Sequence, residues 1–282
     1  MSQYYYLVTG LPELSLEDNK LSYTVSDFKK EFYPQLSKED QKLVDLYYLK
    51  FDNSNLLRLL KDREAAIDPR GNYKADQFVS VFKQFDEEGT ITSAGLLPPY
   101  IIMFIQNYLK QQEEGVTSDI LAEDWLTGLY YEYAMQCKND FVSSWFEFNL
   151  NANNVLVALA ARKYKMQIAP LVVGDTEVCR ALKTSNARDF GLASELDYFD
   201  QLLKISEADD LVDREKKLDQ IRWKWMEDKT FFDYFSIERL YVFLLQLEII
   251  ERWISLDKEK GNQMFREIID SLKGEVRVPS EF

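Results

Sequence analysis

An all-α fold is what this sequence predicts, on three observations. Only 10 Gly and 7 Pro interrupt 282 residues, too few for the turns of a sheet protein, while Leu, Glu, Lys, Gln and Ala are plentiful and favour long helices. Apolar residues recur at spacings of three and four in one segment after another. A short segment also occurs three times, as Phe51-Asp-Asn-Ser-Asn-Leu-Leu-Arg-Leu-Leu60, Leu150-Asn-Ala-Asn-Asn-Val-Leu-Val-Ala-Leu159 and Leu247-Glu-Ile-Ile-Glu-Arg-Trp-Ile-Ser-Leu256. Its leading polar residues, Asp52, Asn151 and Glu248, stand 99 and 97 residues apart, and each is followed three places on by a second, Asn55, Asn154 and Glu251. A helical unit repeated along the length predicts a single elongated domain of three units, about 1–100, 101–190 and 191–282, and points to a scaffold rather than a pocket enzyme.

Each element has its own signal along the chain. Tyr4-Tyr-Tyr-Leu-Val8 and Gly10-Leu-Pro12 read as a short extended segment at the start. Ser37 followed by Asp40 has the form of a capping box, and Leu43, Val44, Leu46, Tyr47 and Leu49 continue at helical spacing into the first copy. Asp68-Pro-Arg-Gly-Asn72 is a turn cluster, Lys74 to Glu87 a helix, and Gly89 to Gly95 a loop. Pro98-Pro99 opens a helix carrying Tyr100, Ile101, Phe104, Ile105, Tyr108 and Leu109, since Pro is tolerated in a first turn. Ser118 or Asp119 starts the next, through Trp125, Leu126, Leu129, Tyr130, Tyr133 and Cys137, and a break near Lys138 to Asp140 precedes the second copy.

After Pro170, Gly174-Asp175 caps a short helix and Asn186 to Gly191 is a connector. Ser206, with Asp209 three later, begins a highly charged helix through Leu211, Leu218, Ile221, Trp223 and Trp225. Ser236 caps the last helix, whose Leu240, Tyr241, Phe243, Leu244, Leu245, Leu247, Ile249 and Ile250 cover most of its circumference and predict a place at the centre of the bundle. Glu123, Leu126, Leu129, Tyr131 and Tyr133 match Glu215, Leu218, Ile221, Trp223 and Trp225 at a constant offset of 92, so similarity extends beyond the short motif.

Composition narrows function. With 34 basic and 48 acidic residues the net charge is −14, which repels nucleic-acid phosphate and anionic lipid. The chain has no His, which removes the commonest general base and zinc ligand. Cys137 and Cys179 lack metal-ligand spacing and read as buried thiols in a reducing compartment. The start lacks the basic and apolar regions of a signal peptide, and no window of about 18 apolar residues predicts a membrane span.

Three patterns resemble chemistry. Phe85-Asp-Glu-Glu-Gly-Thr-Ile-Thr-Ser-Ala-Gly95 is similar to a calcium loop, but Gly89 is fourth rather than sixth and Leu97 stands where a bidentate Glu belongs. Asp209-Asp-Leu-Val-Asp213 has the DDxxD form that holds magnesium against a diphosphate, and Asn139-Asp-Phe-Val-Ser-Ser-Trp-Phe-Glu147 is close to the second magnesium motif of helical prenyl-diphosphate enzymes. Their order is the reverse of that in such enzymes. Helix starts explain both: carboxylates in a first turn complement the macrodipole, and Asn139 with Ser143 suits a cap. No phosphate loop or nucleophile elbow is present, and the aromatic stripe from Trp125 to Trp145 reads as core.

Glu215-Lys-Lys-Leu-Asp219 with Trp223 and Trp225, then Tyr241, Leu245, Gln246 and Glu248-Ile249, then Lys258-Glu-Lys-Gly261, resemble in order and spacing the last unit of the C (or d) subunit of V-type and A-type rotary ATPases. Asp52-x-x-Asn55-Leu56 through Lys61, and Asn151-x-x-Asn154-Val155 through Arg162, resemble its internal units. The resemblance covers about residues 119 to 273, with a further stretch at 37 to 62. Asn151 stands for an acidic residue of the family, Gln246-Leu247 for Lys-Glu, and its Arg-rich start is missing.

The resemblance implies a pseudo-threefold, funnel-shaped adaptor without catalytic residues, metal or cofactor. Its partners are the rotor-ring and central-shaft subunits of a rotary ATPase, with no nucleic acid, membrane span or small-molecule substrate. Its place is cytoplasmic, peripheral to the inner face of the cell membrane, where it passes rotation between ion transport and ATP chemistry. The alternatives are a free-standing helical binding or assembly module and, less favoured, a magnesium-dependent prenyl-diphosphate enzyme.

Overall fold

The computed structural model describes residues 4–92, 95–115 and 121–275, with backbone alone over 258–275. Among these residues the regular structure is helical. The α-helices are α1 (Tyr5–Thr9), α2 (Val25–Asp27), α3 (Lys38–Lys61), α4 (Ala75–Glu88), α5 (Pro99–Glu113), α6 (Ala122–Met135), α7 (Asp140–Lys163), α8 (Glu177–Thr184), α9 (Phe199–Glu207), α10 (Leu211–Lys229) and α11 (Ile237–Glu275). The chain is all-α in this sense, as expected, and no described helix is long and apolar enough to cross a membrane. It divides into two compact units, Gln35–Phe232 and the pair Met1–Pro34 with Asp233–Phe282. The expected boundaries near 100 and 190 both fall inside the first of these.

In the Gln35–Phe232 unit two helices of equal length, α3 and α7, 24 residues each, serve as backbones for the shorter helices after them. Ser37 Oγ accepts the Asp40 N–H at 3.1 Å to start α3, and Asn139 Oδ1 accepts the Val142 N–H at 2.9 Å to start α7. Arg58 and Lys61 in the last turn of α3, and Arg162 and Lys163 in that of α7, complement the negative helix end. After α3 come α4 and α5, and α6 returns to pack on α3. After α7 comes α8, then α9 packed on α7, and α10 again lies on both α9 and α7. The buried apolar side chains include Val44, Leu56, Leu59, Phe78, Phe82 and Phe104 in the first half, and Val142, Val155, Leu202 and Met226 in the second. Aromatic rings fill the interior: Phe104 meets Trp125 at 5.0 Å, and Phe148 stacks on Trp225 at 4.9 Å. The stripe from Trp125 to Trp145 is thus packing surface.

In the other unit, α2 runs on through a π turn (Phe28–Phe32) into a 3-10 turn (Tyr33–Gln35). Helix α11 is buried from Leu240 to Leu247 on nearly its whole circumference, as its apolar run predicts.

Several local expectations are corrected. The start is not extended: Tyr5–Thr9 is a short helix closed by Gly10, whose N–H bonds Val8 O, because Tyr4 to Val8 lacks the alternation that would give a strand a polar face. The charged helix does not begin at Ser206. That residue lies in the last turn of α9, its hydroxyl turned back to Leu203 O at 2.7 Å, and Asp210 caps α10 through the Val212 N–H at 2.8 Å. The cap of α8 is Thr176, one residue beyond Gly174-Asp175. Ser236 does not cap α11, since its Oγ is buried with no hydrogen-bond partner among the described residues. Cys179 is buried but Cys137 is only half-buried. The Gly-bearing turn that the resemblance implies at Lys258-Glu-Lys-Gly261 does not form: the backbone of α11 stays helical through Gly261, where one Gly costs about 1 kcal/mol, too little to end a long helix. The start expected at Ser118 or Asp119 lies outside the described residues.

Candidate functional site

The repeated polar pairs lie well inside helices, where an exposed pair would have no structural task. Asp52 and Asn55 are both fully buried on α3. Asn55 Oδ1 accepts the Asp68 N–H at 2.7 Å while its Nδ2 donates to Asp68 O at 3.0 Å. Asp52 takes the next part of the same loop, with Oδ2 accepting the Asn72 N–H at 2.9 Å and Oδ1 the Tyr73 N–H at 3.0 Å. Asn72 reaches back to Asp45 O at 3.0 Å. The turn cluster 68–73 thus gives its backbone groups to two side chains one helical turn apart, immediately before α4 begins. An aspartate suits the second place because its two oxygens receive two consecutive N–H groups.

The second pair does the same on α7. Asn154 Oδ1 accepts the Val173 N–H at 3.0 Å, and Nδ2 donates to Val173 O at 2.7 Å. Asn151 Oδ1 accepts the Thr176 hydroxyl at 2.8 Å, and Thr176 is the residue that caps α8 through the Cys179 N–H at 3.1 Å. The buried Cys179 thiol completes the group, bonded to Val173 O at 3.3 Å. Each asparagine therefore grips both polar groups of one residue, and each partner holds the run into the following helix. An Asn in place of Asp at 151 matches its different load, since its side chain meets the hydroxyls of Thr176 and Tyr198 rather than two backbone amides.

The third pair is different. Glu248 and Glu251 are half-buried on α11, and Glu251 Oε2 accepts the N–H of Val25, the first residue of α2, at 2.8 Å. The helix start it holds lies far earlier in the chain, not in a loop that comes after.

A further correspondence escaped the reading of the sequence. Eight residues after each asparagine stands an arginine over a phenylalanine: Arg63 lies 4.0 Å from the Phe82 ring centre and Arg162 3.6 Å from that of Phe190. Arg162 also donates to Arg188 O and Ser185 O at 2.7 and 3.2 Å, which fixes the 185–190 connector. The equal spacing of Asn55 to Arg63 and Asn154 to Arg162 was the available signal.

Asp219, marked by the Glu215-Lys-Lys-Leu-Asp219 block, is 1% exposed and pairs with Arg222 Nη1 at 3.0 Å. The same guanidinium bonds Asn149 Oδ1 at 3.0 Å and Asn153 Oδ1 at 3.1 Å, tying α10 to α7. Around the first pair, burial and then the Asp52 carboxylate raise two phenols: Tyr73 up to about 12, and Tyr100 well above its ordinary value. Tyr100 donates to Asn53 Oδ1 at 2.7 Å. The Asp68 carboxyl is held below the usual range by its hydrogen bond to Arg70, 2.6 Å away.

The enzyme-like patterns disperse into helix ends. Asp210 is a cap, Asp213 pairs with Lys217 at 2.6 Å, and Asn139 caps α7 while Ser143 donates to Met135 O at 2.6 Å. Asp86, Glu87 and Glu88 are exposed in the last turn of α4, which Gly89 closes with φ of 68°. Ser93 and Ala94 of that pattern lie outside the described residues. Among the described residues no group of three or more Cys, Asp or Glu side chains is gathered so as to hold a metal ion. An open groove of about 440 Å³ along α5 is lined by Ile91, Leu97, Ile102 and Met103 with Gln106 and Asn107.

A family model described as "Protein of unknown function (DUF2764)" matches residues 1–276. No curated protein and no solved structure matches the chain.

Proposed function

We propose that this chain, which belongs to the DUF2764 family, is a non-catalytic central-stalk adaptor of a V/A-type rotary ATPase, standing between the membrane rotor ring and the central shaft. The observation that carries the reading is the recurrence of one clamp: Asn55 on Asp68 and Asn154 on Val173, each gripping both backbone groups of a single residue. These are the positions at which the sequence resembles the internal units of the rotary-ATPase adaptor. The three-unit, funnel-like arrangement and the cytoplasmic placement beside the ring belong to the same proposal.

Mechanical load supports it. One ion crossing 100 mV releases about 2.3 kcal/mol, so several ions per ATP approach the whole stability of an ordinary domain, about 5–15 kcal/mol. A body that passes such a load must not let its loops slide along its long helices. Clamps that fasten the start of the next helix to the middle of α3 and α7 supply that stiffness, and so do the Arg–Phe contacts beside them.

The test is purification of the tagged full chain from its own cells under mild detergent. Head, shaft or ring subunits of a rotary ATPase are expected in stoichiometric amount. Their absence, with the chain recovered folded, overturns the adaptor reading and leaves the free-standing assembly module. A rise in melting temperature with magnesium and inorganic diphosphate together would instead favour the prenyl-diphosphate enzyme.

A further inference from the structure

We infer that residues 24–33 form a latch on α11 that docks and releases as one piece, independently of the two clamps on α3 and α7. Those clamps join residues 13 to 25 positions apart, whereas the Val25–Glu251 bond spans 226 positions. A contact of that range is not built by the local chain and depends on two distant stretches of the chain meeting.

The docked piece is complete in itself. Thr24 and Asp27 make a capping box, the Asp27 N–H on Thr24 Oγ1 at 3.1 Å and the Thr24 N–H on Asp27 Oδ2 at 2.9 Å. The π turn after it, closed by the Tyr33 N–H on Phe28 O, brings Phe28 and Phe32 into a stack at 5.2 Å. The groups this piece turns outward are those that α11 receives. Glu251 takes the Val25 N–H, one of the donors a helix start leaves unused. The two stacked rings lie 6.4 and 5.9 Å from Phe243 of α11; on the far side of the tether, Tyr5 of α1 lies 4.8 Å from Phe235, just before α11. Residues 10–23 between α1 and α2 contain no helix or strand and are mostly exposed or half-buried, so they tether the piece without fastening it. Release bares the Phe243 face of α11, which the latch otherwise covers.

Hydrogen exchange on the full chain, read by peptide mass, tests this. Glu251→Ala is expected to speed exchange of amides 25–33 about tenfold, since a charge-assisted bond is lost, and to leave 68–73 and 173–179 unchanged. Glu251→Gln keeps an acceptor and is expected to stay within about threefold of the native chain. Unchanged exchange at 25–33 in Glu251→Ala, or faster exchange spread equally over α3 and α7, overturns the latch. If Glu251→Ala does not fold, the native chain decides in urea too dilute to unfold it. Amides 25–33 are expected to exchange through an opening with weaker urea dependence than those of α3 and α7, and equal dependence overturns the latch.

Discussion

Gly71 lies so close beneath the Asp52 carboxylate that a Cβ placed on it collides with Asp52 Oδ1 and comes within 3.1 Å of Asn55 Nδ2. The loop and its clamp are one fitted piece. Gly174 is packed less tightly in the second loop, where an added Cβ meets Leu150 Cδ2 at 3.0 Å. Gly71→Ala is therefore expected to cost about 1–3 kcal/mol through overpacking, read as a lower midpoint in a denaturant titration. Gly89→Ala is the comparison, for it has φ of 68° but no atom within 4 Å, and it should cost about 1 kcal/mol from backbone strain alone. A Gly71→Ala midpoint equal to that of the native chain would mean that the Asp52 carboxylate moves aside freely.

Asn55→Leu and Asn154→Leu each strip both backbone groups of one loop residue of their partner, so each is expected to lower stability by about 2–3 kcal/mol. Binding to the proposed stalk partners should change little in both. Differential scanning calorimetry and pull-down read the two quantities separately, and unchanged melting with lost binding would refute the structural role.

Arg222→Leu leaves the carboxylate of Asp219, 1% exposed, without its guanidinium and is expected to cost about 3 kcal/mol. The double variant Asp219→Leu/Arg222→Leu should recover much of that loss, because the buried carboxylate is then removed together with its guanidinium. A double variant as unstable as the single one would show that Asn149 and Asn153, not the charge pair, hold α10 to α7.

Tyr73 carries a pH signature. Its folded pKa is raised from 10.0 to about 12 by burial and by Asp52, so the folded chain holds the phenol proton more tightly than the unfolded chain does. The stabilisation is complete below pH 10 and is lost as pH rises from 10 to about 12. Denaturant midpoints against pH should fall less steeply in Tyr73→Phe over this window, and identical slopes would show that the phenol is not shielded.

Much of the fold was legible because its signals are local. Ser37 before Asp40, Asn139 before Val142 and Pro99 at a helix start each act within four residues, where one hydrogen bond or one fixed φ decides. Ser206 misled for the same reason: its spacing to Asp209 imitates a cap, but the preceding turn had already claimed its hydroxyl. The polar pairs were visible as a repeat, yet their partners were not, since Asp68, Val173 and Thr176 are reached only once a loop has folded back.

The sequence alone therefore determined the helical class, the starts of α3, α4, α5 and α7, the apolar circumference of α11 and the positions of the paired polar residues, because periodicity and capping are written within a turn or two. Tertiary structure alone decided what those residues hold, that Gly71 must lack a side chain, and that Glu251 reaches back to Val25. Those outcomes depend on which distant backbone N–H groups arrive beside a buried acceptor, and burial makes every such group find a partner that no local pattern names.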